Sequence, residues 1–346
     1  MAITYNNSYP ELCTYENLLL AFKKARKRKT TKPYVLEFEK DLKNNLSKLQ
    51  TELINETYKP HELKTFTIRD PKTRKISKSH FRDRIVHHAI CNIIQMIFEK
   101  TFIYDSFANQ KGKGTHKALE RFDYFKRKVS KNNTKRCYVF KADVKKYFET
   151  VDQKVLITTI SKKIKDEKLI SLIRKVLENH KSKQFGKGMP LGNLTSQFFA
   201  NVYLNELDYF VKHKLKIKYY LRYVDDFVIL HNSKEVLSRY KVKINDFLKS
   251  QLKLELHPNK CKIKPLNCGV SLLGFRVFYY HKLLRKSNFR KFIKKFFILK
   301  EDCLEKIIDF EDVSKFLAGW FGYAMHANTY WLRRRILESL QTPPVP

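Results

Sequence analysis

Two adjacent acids, Asp225 and Asp226, interrupt an apolar run: Tyr219-Tyr220-Leu221-Arg222-Tyr223-Val224-Asp225-Asp226-Phe227-Val228-Ile229-Leu230. Burying one carboxylate in such a place is costly. Burying two is worse, because each raises the pKa of the other. A cation offsets that repulsion, and hard oxygen ligands select Mg2+ or Mn2+. The same pattern also allows a tight hairpin turn with both acids at an exposed tip, since Asp is a common turn residue. A third acid, Asp143, closes the strand-like segment Tyr138-Val139-Phe140-Lys141-Ala142-Asp143, 82 residues before Asp225. If that strand lies beside the Tyr219–Leu230 hairpin, Asp143 meets Asp225. The carboxylates can then hold two metal ions about 3.5–4 Å apart, the arrangement that clamps the attacking and leaving oxygens of an in-line phosphoryl displacement. Such chemistry is mostly positioning and charge neutralisation.

The elements that must position these acids follow from hydrophobic period and turn residues. Residues 12–31 and 35–57 read as helices, the second stopped by Pro60. Phe66 to Ser77 reads as a hairpin, with Asp70-Pro71 suited to a type I turn. A helix from Arg82 to Lys100 carries Ile85, Ala89, Ile93 and Ile97 on one stripe. Residues 153–178 read as two helical pieces, 195–213 and 235–251 as helices, and 254–265 and 271–280 as strands. From about 287 onward the chain reads as helical with basic faces. Mixed strands and helices followed by a helical tail predict an α+β core with an all-α C-terminal part.

Bulk composition narrows the partner. Lys and Arg total 71 against 34 acids, a formal charge of +37. Self-repulsion of that size is relieved by a polyanion, and each neutralised phosphate releases counterions, so nucleic acid is the expected partner. With 43% hydrophobic residues the chain can still bury a core. The six cysteines form no C-x-x-C pair and read as free thiols of a reducing compartment. No signal peptide or membrane span is evident, so a soluble cytoplasmic protein without a membrane partner is expected.

Tyr223-Val224-Asp225-Asp226 resembles the Y-x-D-D box of reverse transcriptases, and Phe140 to Phe148 resembles the first palm motif of the same enzymes. Other segments fall in the family's order. Arg82 to Ile90 and Phe107 to Leu119 resemble fingers segments of bacterial, group II-intron-like enzymes, and Leu272-Leu273-Gly274-Phe275 resembles their last palm motif. The resemblance implies a right-hand polymerase: an N-terminal basic helical extension (1–64), fingers (65–135), palm (136–282) and helical thumb (283–346). It also implies an RNA-directed DNA polymerase using two Mg2+ ions, or Mn2+, held by Asp143, Val144, Asp225 and Asp226.

Within that family, Pro190-Leu191-Gly192-Asn193-Leu194-Thr195-Ser196-Gln197 departs from the group II pattern P-Q-G-G-x-x-S-P. It is similar to the reverse transcriptases of diversity-generating retroelements, as is Gly322-Tyr323-Ala324-Met325-His326-Ala327-Asn328-Thr329. That subfamily copies a template repeat RNA into cDNA with errors opposite adenine and works with a small basic accessory protein. Its other partners are the RNA/DNA hybrid and dNTPs. By position, Phe148 falls at the steric gate that excludes a ribose 2′-OH, and Gln197 at the nucleotide's sugar or the templating pair. Arg69, Arg74 and, in the palm, Lys260 fall at nucleotide-contacting positions. Another bacterial or phage-defence reverse transcriptase, or a non-catalytic RNA-binding scaffold on the same fold, are the alternatives.

Overall fold

The computed structural model describes residues 4–69, 73–182 and 184–341. Helices α1 (Tyr9–Leu12), α2 (Tyr15–Arg26), α3 (Pro33–Lys40) and α4 (Leu42–Ile54) precede a hairpin of β1 (Lys64–Ile68) and β2 (Arg74–Lys78). The Asp70-Pro71 turn expected at its tip lies outside the described residues. Then come α5 (Phe81–Glu99), α6 (Thr115–Val129), β3 (Tyr138–Asp143), α7 (Tyr147–Thr150), α8 (Gln153–Ser161), α9 (Glu167–Glu178) and α10 (Leu194–Tyr209). β4 (Tyr220–Tyr223), β5 (Asp226–His231), α11 (Lys234–Leu252) and β6 (Lys262–Pro265) follow. The chain continues with β7 (Val270–Leu272), β8 (Phe275–Val277), β9 (Lys282–Leu284), α12 (Lys286–Leu304), α13 (Phe310–Ala324) and α14 (Tyr330–Gln341).

Four strands form one sheet in the order β4-β5-β3-β6, so the strand ending on Asp143 is the neighbour of the strand that begins on Asp226. β3 and β6 are antiparallel, with Tyr138 opposite Pro265 and Lys141 opposite Lys262. β7, β8 and β9 form a separate antiparallel sheet.

The chain divides into two compact units. The first comprises the residues up to Gly112, Ala142–Phe227 and Arg239–Cys261. Its centre is α5, which packs against α2 and α10. Ile85, Ala89, Ile93 and Ile97 are all buried there, as their spacing predicts. Asp152 and Asp166 cap α8 and α9 by accepting the amides of Val155 and Leu169 at 3.0 and 3.1 Å. The second unit comprises Lys113–Lys141, Val228–Ser238 and everything described from Lys262 on. An aromatic core of Phe292, Phe296, Val313, Leu317 and Ile336 holds α12, α13 and α14 together, with Phe292 stacked on Trp320 at 3.7 Å between centroids.

Several sequence expectations need correction. The helix expected over 12–31 runs only from Tyr15 to Arg26, and the strand expected over 271–280 is two short strands, β7 and β8. The single helix expected over 35–57 is broken at Asp41, whose φ of −131° and ψ of 54° leave the helical region between α3 and α4. The strand expected over 254–265 is confined to Lys262–Pro265. His257-Pro258 precludes a continuous ladder, and only an isolated Val144–Leu256 bridge precedes it. Helix α6 was not anticipated. Its glycine-flanked, highly basic sequence hides Ala118, Leu119, Phe122 and Phe125, which form one buried face.

Candidate active site

All the residues singled out for chemistry belong to the first unit. β4 and β5 are joined by Val224 and Asp225 alone, so the two acids sit at a two-residue turn and the first position of β5. Two-residue hairpin loops favour a positive φ at their first position, usually supplied by Gly or Asn. Here Val224 adopts it, at φ 55°, an uncommon conformation for a β-branched residue.

A buried network beneath the turn holds it in place. Arg222 is fully buried. Its guanidinium donates from Nε and Nη2 to Asp208 at 2.8 and 2.6 Å, and from Nη1 to Asn201 at 3.1 Å and to the Val224 carbonyl at 3.0 Å. Tyr220 completes Asp208 by donating its hydroxyl at 2.6 Å. Burial works against the Arg222 charge, but Asp208 outweighs it and raises the pKa further. No sequence pattern assigns Asn201, Asp208 or Arg222 a role. The available signal was an arginine inside an apolar strand, which demands a buried partner.

Asp143 is held from two sides. Its carbonyl accepts the His257 amide at 2.8 Å, its amide lies 3.4 Å from the Cys261 sulfur, and the next amide, of Val144, donates to the Asp225 carbonyl at 3.4 Å. The ends of β3 and of the β4–β5 hairpin are thereby tied together, and the electrostatics record the convergence. Burial raises the Asp225 carboxyl, Asp226 raises it further, its own backbone amide lowers it, Asp143 raises it again and Lys260 lowers it, leaving it at about 6. Lys260 reaches Asp143 Oδ1 at 2.9 Å. Asp143, Asp225 and Asp226 carry oxygen donors of the kind hard divalent cations take, and their charges interact. Buried Val144 can add only its carbonyl oxygen, since its side chain offers no ligand.

The remaining residues lie around this group unequally. Phe148 is half-buried on α7, with its ring against Tyr147 at 5.5 Å and its carbonyl accepting the Met189 amide at 2.7 Å. Gln197 is exposed in the first turn of α10, while its neighbours Ser196 and Phe198 are buried. Strand β2 is tied to the segment before α10: the Ser77 amide donates to the Leu191 carbonyl at 2.8 Å. A Cβ on Gly192, at φ 120°, would lie 2.7 Å from Ile76, so only glycine allows this approach. Arg69 and Arg74 are exposed at the far end of that hairpin, and no described contact joins them to the carboxylates. His87 is buried between Ser79 and Thr195, and burial lowers its pKa to about 4, so it is a neutral structural group.

Residues 39–277 match the family described as "Reverse transcriptase (RNA-dependent DNA polymerase)". The chain is 25% identical over 279 residues to Protein YkfC of Escherichia coli K12, covering 69% of this chain and 71% of that one. It is 29% identical over 235 residues to the group II intron-encoded protein LtrA of Lactococcus lactis, covering 64% of this chain but 38% of LtrA. Among solved structures, apo telomerase of Candida tropicalis aligns at a TM-score of 0.48 and 14% identity, over 68% of this chain and 52% of that one. No helix among the described residues is long and apolar enough to cross a membrane.

Proposed function

The chain belongs to the reverse transcriptase family of RNA-dependent DNA polymerases, and from that premise we propose that it copies the template RNA of a diversity-generating retroelement into cDNA. The observation that carries the catalytic half of this reading is Asp225, half-buried at the β4–β5 turn and raised by desolvation, Asp226 and Asp143. The subfamily rests on the Pro190–Gln197 and Gly322–Thr329 segments.

Enzymes of this family use divalent metal ions. We assign Mg2+ here, held by Asp143, Asp225, Asp226 and the Val144 carbonyl. When bound, such ions activate the primer 3′-hydroxyl and neutralise the departing pyrophosphate. The chain's own residues do the rest. The chain's basic excess binds the phosphates of template and primer. Phe148 is assigned the steric gate, where its ring would exclude a ribose 2′-hydroxyl. Gln197, exposed in the first turn of α10, is assigned to the nucleotide. Arg69 and Arg74 offer guanidinium forks to the triphosphate. Lys260, already on Asp143, must exchange that carboxylate for a phosphate oxygen when the site fills. A small basic protein is the proposed accessory partner.

Primer extension on a defined RNA with Mg2+ and dNTPs, followed by sequencing of the cDNA, tests both levels. Extension with errors concentrated opposite adenine is expected. Faithful extension would reject the retroelement role and leave a group II-like enzyme, and no extension would reject polymerase activity. In the same assay Phe148→Ala should admit rNTPs, and an unchanged sugar preference would remove its role.

A further inference from the structure

A second cluster of ligand-type side chains lies at the base of the β1–β2 hairpin. His61 stands three residues before β1, His80 two residues after β2, and Asp83 in the first turn of α5. One donor atom from each lies within 4.8 Å of the others. Asp83 is fully buried. Tyr58 Oη donates to its Oδ1 at 2.9 Å, the His61 amide donates to its Oδ2 at 3.0 Å, and His61 Nδ1 faces Oδ2 at 3.2 Å. Arg82 comes no closer than 3.7 Å to this carboxylate and is engaged by Glu52. The His61 and His80 rings lie 4.5 Å apart and face solvent.

We propose that His61, His80 and Asp83 bind one transition-metal ion of the zinc class, distinct from the ions at the Asp225 carboxylates. Two imidazole nitrogens and a carboxylate oxygen are a donor set Zn2+ accepts, and exposure of both rings leaves a fourth position for water. The ligands bracket the hairpin in sequence, so the ion would close its base as a clip closes a loop. The hairpin that carries Arg69 and Arg74 would then be fixed against the N-terminus of α5.

Full-length protein, stripped of metal and returned to saturating Mg2+ to fill the carboxylate site, can be titrated with Zn2+ by calorimetry. One Zn2+ per chain is expected, with affinity falling on the order of a hundredfold in His61→Ala and His80→Ala. Both side chains are exposed, and circular dichroism checks that the variants fold. Co2+ replacing Zn2+ should give visible bands of nitrogen and oxygen ligation without a sulfur charge-transfer band. Hydrogen exchange over the 61–80 segment should slow on adding Zn2+ to the wild type and not to His80→Ala. No binding, binding indifferent to both histidines, or a thiolate spectrum from the free cysteines would each overturn the site.

Discussion

Asp208, on α10, and Asp225, at the β4–β5 turn, lie 17 residues apart in sequence and meet desolvation in opposite ways. Asp208 is fully buried and fully answered, with Arg222 bidentate on its carboxylate and Tyr220 donating to it. Asp225 is surrounded by its own kind and raised to about 6 by burial, Asp226 and Asp143, with Lys260 as the opposing cation. One charge is neutralised by its neighbours, and the other lies among like charges. A buried acid therefore signals function only once its partners are known. The two regions are also joined. Arg222, which completes Asp208, donates to the carbonyl of Val224, the residue that turns the chain into Asp225.

The comparison breaks most visibly at Asp225. Asp225→Asn removes a charge the fold disfavours, so activity and stability should move in opposite directions. Loss of a metal ligand should cost at least about a thousandfold in primer extension. Stability of the metal-free protein should rise at neutral pH by roughly 3 kcal/mol, from a shift between 3.8 and about 6. The folded pKa is above the unfolded one, so wild-type stability should fall as pH rises from 3.8 to about 6 and then level off. The Asn variant should lack that fall. Thermal melts across this window check it, and a variant that melts lower than wild type at pH 7 would contradict an uncompensated Asp225.

Asp208 should respond in the reverse sense. Arg222→Met leaves a buried carboxylate without its cation, a change that costs about 3–5 kcal/mol. Adding Asp208→Leu should recover most of that loss, because the pair and an apolar replacement are of similar stability. Denaturant unfolding of the two single variants and the double variant measures the coupling. Additive losses would mean that the pair does not act as a unit.

The sequence made the acids legible because they fall at the ends of apolar, strand-period runs, and β3 does end on Asp143. The stripe on α5 was legible for the same reason. Two things were not. The turn and the metal-site reading were posed as alternatives, whereas the structure has a turn at Val224-Asp225 whose acid is also desolvated. No local pattern can say how much of a turn its neighbours cover. The arginine network escaped because Asn201 and Asp208 lie on α10 and Arg222 on β4, so their meeting is a tertiary fact. Lys260 was readable as a nucleotide contact, but its ion pair with Asp143 depends on how residues 257–261 pack on β3.

The smallest effect is expected at Val224, the residue that joins the two regions. Holding a β-branched residue at φ 55° costs about 1–2 kcal/mol, and glycine would remove that cost. Glycine also adds freedom to the unfolded chain, worth roughly 0.5–1 kcal/mol in the other direction. The two terms nearly cancel, so Val224→Gly should change unfolding stability by about 1 kcal/mol or less. The backbone bond from Arg222 survives the substitution, but the turn loses the side chain that limits its backbone freedom. Primer extension should therefore slow by several-fold, roughly 1 kcal/mol of barrier, with the melting temperature almost unmoved. If rate and stability instead fell together, Val224 would be holding the fold and not the acid beside it. The separation between the compensated and uncompensated carboxylates would then be less sharp than their hydrogen bonds make it.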